Sequence, residues 1–123
     1  MHRSRLAGFI IDCKTDELGP ASDFWAQALG MPVSRRDENG YDRLDATERD
    51  LTIEVQRVAH ESRLHLDIET DDLEAEVARL ERLGAVRVAQ VKTWWVMQAP
   101  TGQRFCVVKG KELEKAAGVT VWG

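Results

Sequence analysis

The octapeptide IDCKTDEL at Ile11–Leu18 returns 55 residues further on as LDIETDDL at Leu66–Leu73, with identity at Asp, Thr, Asp and Leu. Each copy runs into a helix-forming stretch that ends in Leu-Gly, at Leu29-Gly30 and Leu83-Gly84, so the spacing drifts by one residue over a whole helix. Self-similarity held over such a length marks a duplicated supersecondary unit, because a single copy cannot bury its own apolar face. A chain of 123 residues leaves room for two copies in one domain and little else.

The helix of the second copy is legible from its period. Leu73, Val77, Leu80 and Leu83 recur at steps of three and four, while Glu74, Glu76, Arg79, Glu81 and Arg82 take the other faces. Asp71 or Asp72 stands where an N-cap is needed, and Gly84 where a helix ends. In the first copy Leu18, Ala21, Phe24, Trp25 and Leu29 line one side, with Phe24 and Trp25 expected as core anchors and Pro20 tolerated in the opening turn. Extended segments follow at 32–36, 41–46 and 51–58, and again at 86–92, 94–98 and 104–109, separated by turn-forming runs such as Glu38-Asn39-Gly40 and Ala99-Pro100-Thr101-Gly102. The order is βαβββ twice, an α+β fold, with units at 6–58 and 63–110 and a tail at 111–123. The tail has helix-forming composition over 110–117, then a β-like run, Val119–Trp122, whose apolar end suggests docking on the body or on a partner.

The first strands, Phe9–Lys14 and Leu64–Thr70, alternate. Phe9, Ile11, Cys13 and Leu64, Leu66, Ile68 should pack on helices, which leaves Ile10, Asp12, Lys14 and His65, Asp67, Glu69 on the opposite face. Carboxylates in the middle of central strands need water or partners to offset their desolvation, so that face should be concave and wet.

Other properties exclude whole classes of function. A formal net charge of −4 disfavours nucleic acid, and no apolar run approaches the roughly 18 residues that span a bilayer. The opening residues lead into a strand rather than a signal peptide, so the cytoplasm is the expected compartment. Cys13 and Cys106 are far apart and lack CxxC spacing, which favours reduced thiols.

The phrases SDFWAQALGMPV, RLHLDIETDDLEAEVARLERLGA and WWVMQAPTGQRFCVV, set in this doubled order, resemble the glyoxalase-like proteins of the vicinal-oxygen-chelate superfamily, the group that includes bleomycin-resistance proteins and ring-cleaving dioxygenases. The resemblance covers about Leu6 to Lys109. It implies a curled mixed sheet around a cleft, helices on the outer face, a homodimer, and, in metal-dependent members, four ligands from the first and last strands of each unit. Mapped onto this chain, those positions fall at Ile10, Glu54, His65 and Cys106. An isoleucine cannot bind a cation, so only His65 and Glu54 match; a zinc site using His65, Glu54 and Cys106 is the minor alternative.

His65 and Glu54 are therefore the candidate acid/base pair, and Asp12, Gln56, Asp67, Trp94 and Trp95 the candidate ligand contacts, with Tyr41 at the rim. Each also has a plainer reading. His65 can simply hydrogen-bond Asp12 or Asp67, Glu54 can be a solvated strand carboxylate, and Cys106 a packing thiol. His2 is read as tail and His60 as inter-unit loop. Trp94 and Trp95 point to opposite faces of one strand, so one fills core while the other is available to stack on a planar ligand. The expected function is metal-independent binding of a small organic molecule, of the drug-sequestering kind, with no cofactor. The alternative is a metal-dependent lyase, isomerase or dioxygenase that uses His65 and Glu54, and a scaffold without small-molecule function is the third reading.

Overall fold

Nine strands, two α-helices and two short 3-10 turns make up the chain, whose computed structural model describes every residue from Met1 to Gly123. The strands are β1 (His2–Lys14), β2 (Val33–Asp37), β3 (Tyr41–Leu44), β4 (Thr52–Val58), β5 (Arg63–Thr70), β6 (Val86–Val91), β7 (Trp94–Gln98), β8 (Arg104–Lys109) and β9 (Thr120–Trp122), and the helices are α1 (Leu18–Leu29) and α2 (Leu73–Arg82). The mixed α+β order βαβββ occurs twice, as the internal repeat requires. The chain divides into two compact units, Gly8–His65 and Met1–Ala7 with Leu66–Gly123.

In the Gly8–His65 unit the strand order is β2-β3-β4-β1. β1 runs parallel to β4, in the register Ile10 with Glu54 and Asp12 with Gln56, and the remaining pairs are antiparallel. A parallel pair demands a crossover, which α1 begins. At Gly8, opposite Thr52, the backbones approach so closely that a Cβ would stand 1.7 Å from the Thr52 carbonyl oxygen, so no other residue fits there. Ile11, Met31, Leu44, Ala46, Ile53 and Val55 form the buried cluster, joined by Leu18, Ala21, Trp25 and Ala26 of α1. Ser22, also buried, donates through Oγ to Asp42 Oδ2 at 2.7 Å.

The core stripe of α1 is thus 18, 21, 22, 25 and 26. Phe24, expected as an anchor, lies off it and is 61% exposed, leaning edge-on against Trp25 with ring centroids 5.1 Å apart. At about 100° per residue the stripe is centred near Leu18 and Trp25, and Phe24, a step from Trp25 on the side away from Ala26, falls outside it. Leu29, in the last turn, is also exposed.

In the other unit the order is β5-β8-β7-β6, with β5 parallel to β8. Val77 and Leu80 of α2 are buried against Met97, Phe105 and Val107, with Ile68, Leu73 and Trp95 at the margin. Asp72 caps α2, accepting from the Ala75 N–H at 3.1 Å. Leu83 stands past the last helical residue and is exposed, and so are Leu64 and Leu66, which the alternation assigned to the core. On that face of β5 only Ile68 reaches the cluster around Val77.

Two sequence expectations are corrected at the chain's ends. The 110–117 stretch forms only a 3-10 turn, Leu113–Lys115, anchored by buried Leu113. His2, read as tail, lies in β1, because His2–Ser4 pair antiparallel with β9 in the register His2 with Trp122. That pairing explains a third correction, Glu76. Placed by period on a solvent face, it is fully buried. Arg79 donates to it from Nε and Nη2 at 2.8 Å each, and His2 Nε2 lies 2.8 Å away. Trp122 closes the cluster, donating to Ser4 Oγ at 2.9 Å while the Arg79 guanidinium lies 3.9 Å over its ring.

Burial alone would raise the Glu76 carboxyl above its ordinary value, but hydrogen bonds from Arg79, His2 and Ser4 outweigh it and hold the group lower. A carboxyl lowered by folding contributes stability at pH values above its ordinary range, and that contribution is lost as pH falls through the folded value. Glu76→Gln should therefore cost about 3 kcal/mol in denaturant unfolding at neutral pH. The difference from the native chain should shrink on acidification below the ordinary carboxylate range, and a pH-independent difference would contradict this account.

Candidate functional site

Helix α1 covers one face of the β2-β3-β4-β1 sheet, and strand alternation dictates what the other face presents. Phe9, Ile11 and Cys13 go to the helix with Ile53, Val55 and Leu44. Ile10 and Asp12, Glu54 and Gln56, and Tyr41 and Arg43 go to the opposite face. Register sorts them into two rows, Ile10–Glu54–Arg43–Arg35 and Asp12–Gln56–Tyr41–Asp37.

The tightest polar contact on this face joins the expected base to its neighbour. His65 Nδ1 lies 2.8 Å from Asp12 Oδ2, and the Asp12 side chain is only 2% exposed. A carboxylate oxygen only accepts, so the hydrogen bond is donated from Nδ1. Asp12 Oδ1 is buried without a hydrogen-bond partner, and Arg63 Nε stands 3.8 Å from Oδ2. The carboxylate is thus buried with one hydrogen bond and one longer ionic contact, which orients and charges the imidazole environment.

Glu54 and Gln56 share this face with Asp12, as the alternation predicts. Glu54 Oε2 lies 3.7 Å from Arg43 Nη2, and Gln56 Nε2 donates to Tyr41 Oη at 2.9 Å. Arg35, Arg43 and Arg63 were not among the sequence candidates. Alternation along β3 places Arg43 beside Tyr41, but its partners emerge only from the cross-strand register.

Asp67 and Cys106 lie in the other unit as register partners on β5 and β8. Of the two tryptophans, Trp95 packs against the Val77–Met97 cluster, with the Arg87 guanidinium 4.9 Å over its ring. Trp94 takes the opposite face of β7. Both cysteines are free thiols. Burial pushes the Cys13 thiol up, the Asp12 charge adds to this and a Trp25 hydrogen bond opposes it, so Cys13 is an inert packing residue.

The four-donor metal centre implied by the resemblance does not fit these residues. The Ile10 position is filled by hydrocarbon that is 2% exposed, and Glu54 leans toward a guanidinium. No step is therefore routed through such a centre.

Doubled βαβββ units of this composition define the class of small α+β domains to which the comparisons also lead. Residues 8–108 match the glyoxalase-like domain family, and the chain belongs to it. Among solved structures it is similar to a hypothetical protein from Bacillus halodurans C-125, at 12% identity with a TM-score of 0.66, covering 89% of this chain and 96% of that one. It is also similar to methylmalonyl-CoA epimerase from Mycobacterium tuberculosis, at 17% identity and TM-score 0.57, covering 91% and 92%. A third similarity is to homoprotocatechuate 2,3-dioxygenase from Arthrobacter globiformis, at 17% and 0.59, covering 85% of this chain and 35% of that one. At these identities the likeness is one of fold. No curated protein matches the sequence.

His65→Phe removes the one hydrogen-bond donor that reaches the buried Asp12 carboxylate. It should lower unfolding free energy by about 2 kcal/mol. Asp12→Leu in the same chain should restore most of that loss, and an unrestored loss would mean that His65 stabilises by packing alone.

Proposed function

We propose that this glyoxalase-like protein binds a small organic molecule on the sheet face carrying Asp12, Glu54, Gln56 and His65, in the drug-sequestering manner and without a four-ligand metal centre. The observation that carries this reading is Ile10. It is buried hydrocarbon, paired in register with Glu54, at a position where a metal-dependent relative needs a ligand atom. On such a face the imidazole held by Asp12 offers one polar contact, Glu54 accepts hydrogen bonds, and the Tyr41–Gln56 pair supplies a further polar edge. A few fixed polar groups beside apolar surface are the usual make-up of a small-molecule site. The homodimer and the cytoplasmic setting expected from the sequence belong to the same proposal. Leu66, 52% exposed, is among the apolar residues a second copy would cover.

The alternative is a metal-dependent lyase, isomerase or dioxygenase. One observation favours it, the register pairing of Asp67 with Cys106, an oxygen and a sulfur donor of the kinds zinc accepts. A single experiment separates the two. Protein purified without metal-affinity steps and dialysed against chelator is titrated calorimetrically with a panel of aromatic phenols, amides and acids. The binding reading expects saturable binding that added zinc or cobalt leaves unchanged. Near-stoichiometric metal in the purified protein, or binding that appears only with metal and vanishes in Cys106→Ala, would overturn it in favour of the alternative.

A further inference from the structure

Six arginines of this chain are matched by acids: Arg3 by Asp71, Arg5 by Glu69, Arg36 by Asp23 and Asp42, Arg63 by Asp12, Arg79 by Glu76, and Arg87 by Glu74 and Glu81. Arg35 and Arg43 are different. They are register partners on antiparallel β2 and β3. Arg36, between Arg35 and the hairpin, turns to the α1 face to meet Asp42 at 3.3 Å, so alternation sends Arg35 to the face that carries Arg43. Side chains at such a pair stand about 5 Å apart at Cβ, where like charges are destabilising.

Neither guanidinium has a hydrogen-bonding partner within the protein there. The Arg43 guanidinium makes no hydrogen bond. Its sole ionic neighbour is Glu54 at 3.7 Å, and its Nε is buried without a partner. The exposed Arg35 side chain makes no hydrogen bond or ion pair within the protein. Asp37, in the adjacent row, is committed to the hairpin, where it accepts from the Asn39 N–H at 2.8 Å. Two guanidiniums and one loosely placed carboxylate leave that row with an excess positive charge and most of its donors free.

We infer that Arg35 and Arg43 form an oxyanion clamp, taking the carboxylate or phosphate end of the ligand bound on this face. The inference rests on the binding reading above and adds the ligand's class. Planar guanidiniums match two-oxygen groups, so the pair suits either anion. Spacing adds a length. Arg43 on β3 and Asp12 on β1 are separated by two strand intervals and by two residues along the strands, about 12 Å. The ligand therefore carries its anion roughly 12 Å from the group that meets His65, with Gln56 and Tyr41 alongside the stretch between.

The test uses the full chain and three probes of one skeleton, phenylpropionate, phenylpropionamide and phenylethyl phosphate, titrated calorimetrically at low ionic strength. The acid or the phosphate should bind at least about tenfold more tightly than the amide, and Arg35→Gln and Arg43→Gln should each remove about that factor for the anion while leaving amide binding unchanged. Which anion binds tighter identifies its source. Ligand-free Arg35→Gln should melt no lower than the native chain, because it relieves a like-charge pair. Equal affinity for amide and anions, anion binding unaffected by both substitutions, or a lower melting point in Arg35→Gln would overturn the clamp while leaving the binding site intact. Failure of all three probes to bind would overturn the clamp and the binding reading together.

Discussion

Parallel pairing of the first strand of each repeat with its last strand, β1 with β4 and β5 with β8, is the constraint from which the rest of this structure follows. Two parallel neighbours cannot be joined by a tight turn, so a crossover containing a helix must intervene, and that helix covers one face of the sheet. The uncovered face then inherits every second residue of strands that lie at the centre of their units. Ile10 meets Glu54, Asp12 meets Gln56 and Asp67 meets Cys106 because the register is fixed, and a slip by one residue would exchange them for core residues. The close approach at Gly8 and Thr52 pins that register in the first unit, since the two backbones meet where a side chain has no room.

Features set by period were legible in the sequence. The span of α1, a cap for α2 at Asp71 or Asp72, the burial of Val77 and Leu80, and the division of Asp12 from Ile11 were all open to a reading of turn chemistry and of spacings of two or of three and four. Features set by what packs against a residue were not. Glu76 reads as solvent-facing on any helical wheel. It is buried because β9, arriving from the far end of the chain, brings Trp122 beside His2 and Ser4 and closes over the carboxylate. Phe24 shows the converse case, an aromatic residue placed one helical step outside the stripe that the sheet can cover.

The candidate site divides along the same line. Alternation placed Asp12, Glu54, Gln56 and His65 on polar strand faces, and the Asp12–His65 hydrogen bond was one of two partnerships the sequence left open. The Arg35–Arg43 pair was invisible. Adjacent arginines at 35 and 36 look alike in a sequence, and only the β2–β3 register sends one to Asp42 under the helix and the other to Arg43 on the open face.

Electrostatics explains how Glu54 and His65 are accommodated on this face, since polar and charged groups drawn out of water need hydrogen bonds or counter-charge. Here Arg43 supplies a positive charge 3.7 Å from Glu54, and Asp12 supplies a negative one 2.8 Å from His65. A guanidinium is weakly hydrated and permanently charged, so it can hold positive potential on a sheet face at any physiological pH. It presents donors to a ligand's oxygens, whereas a divalent ion offers open coordination positions. The Ile10 side chain offers no donor on β1, while Arg43 and Arg35 carry their charge two and three strands away, on β3 and β2.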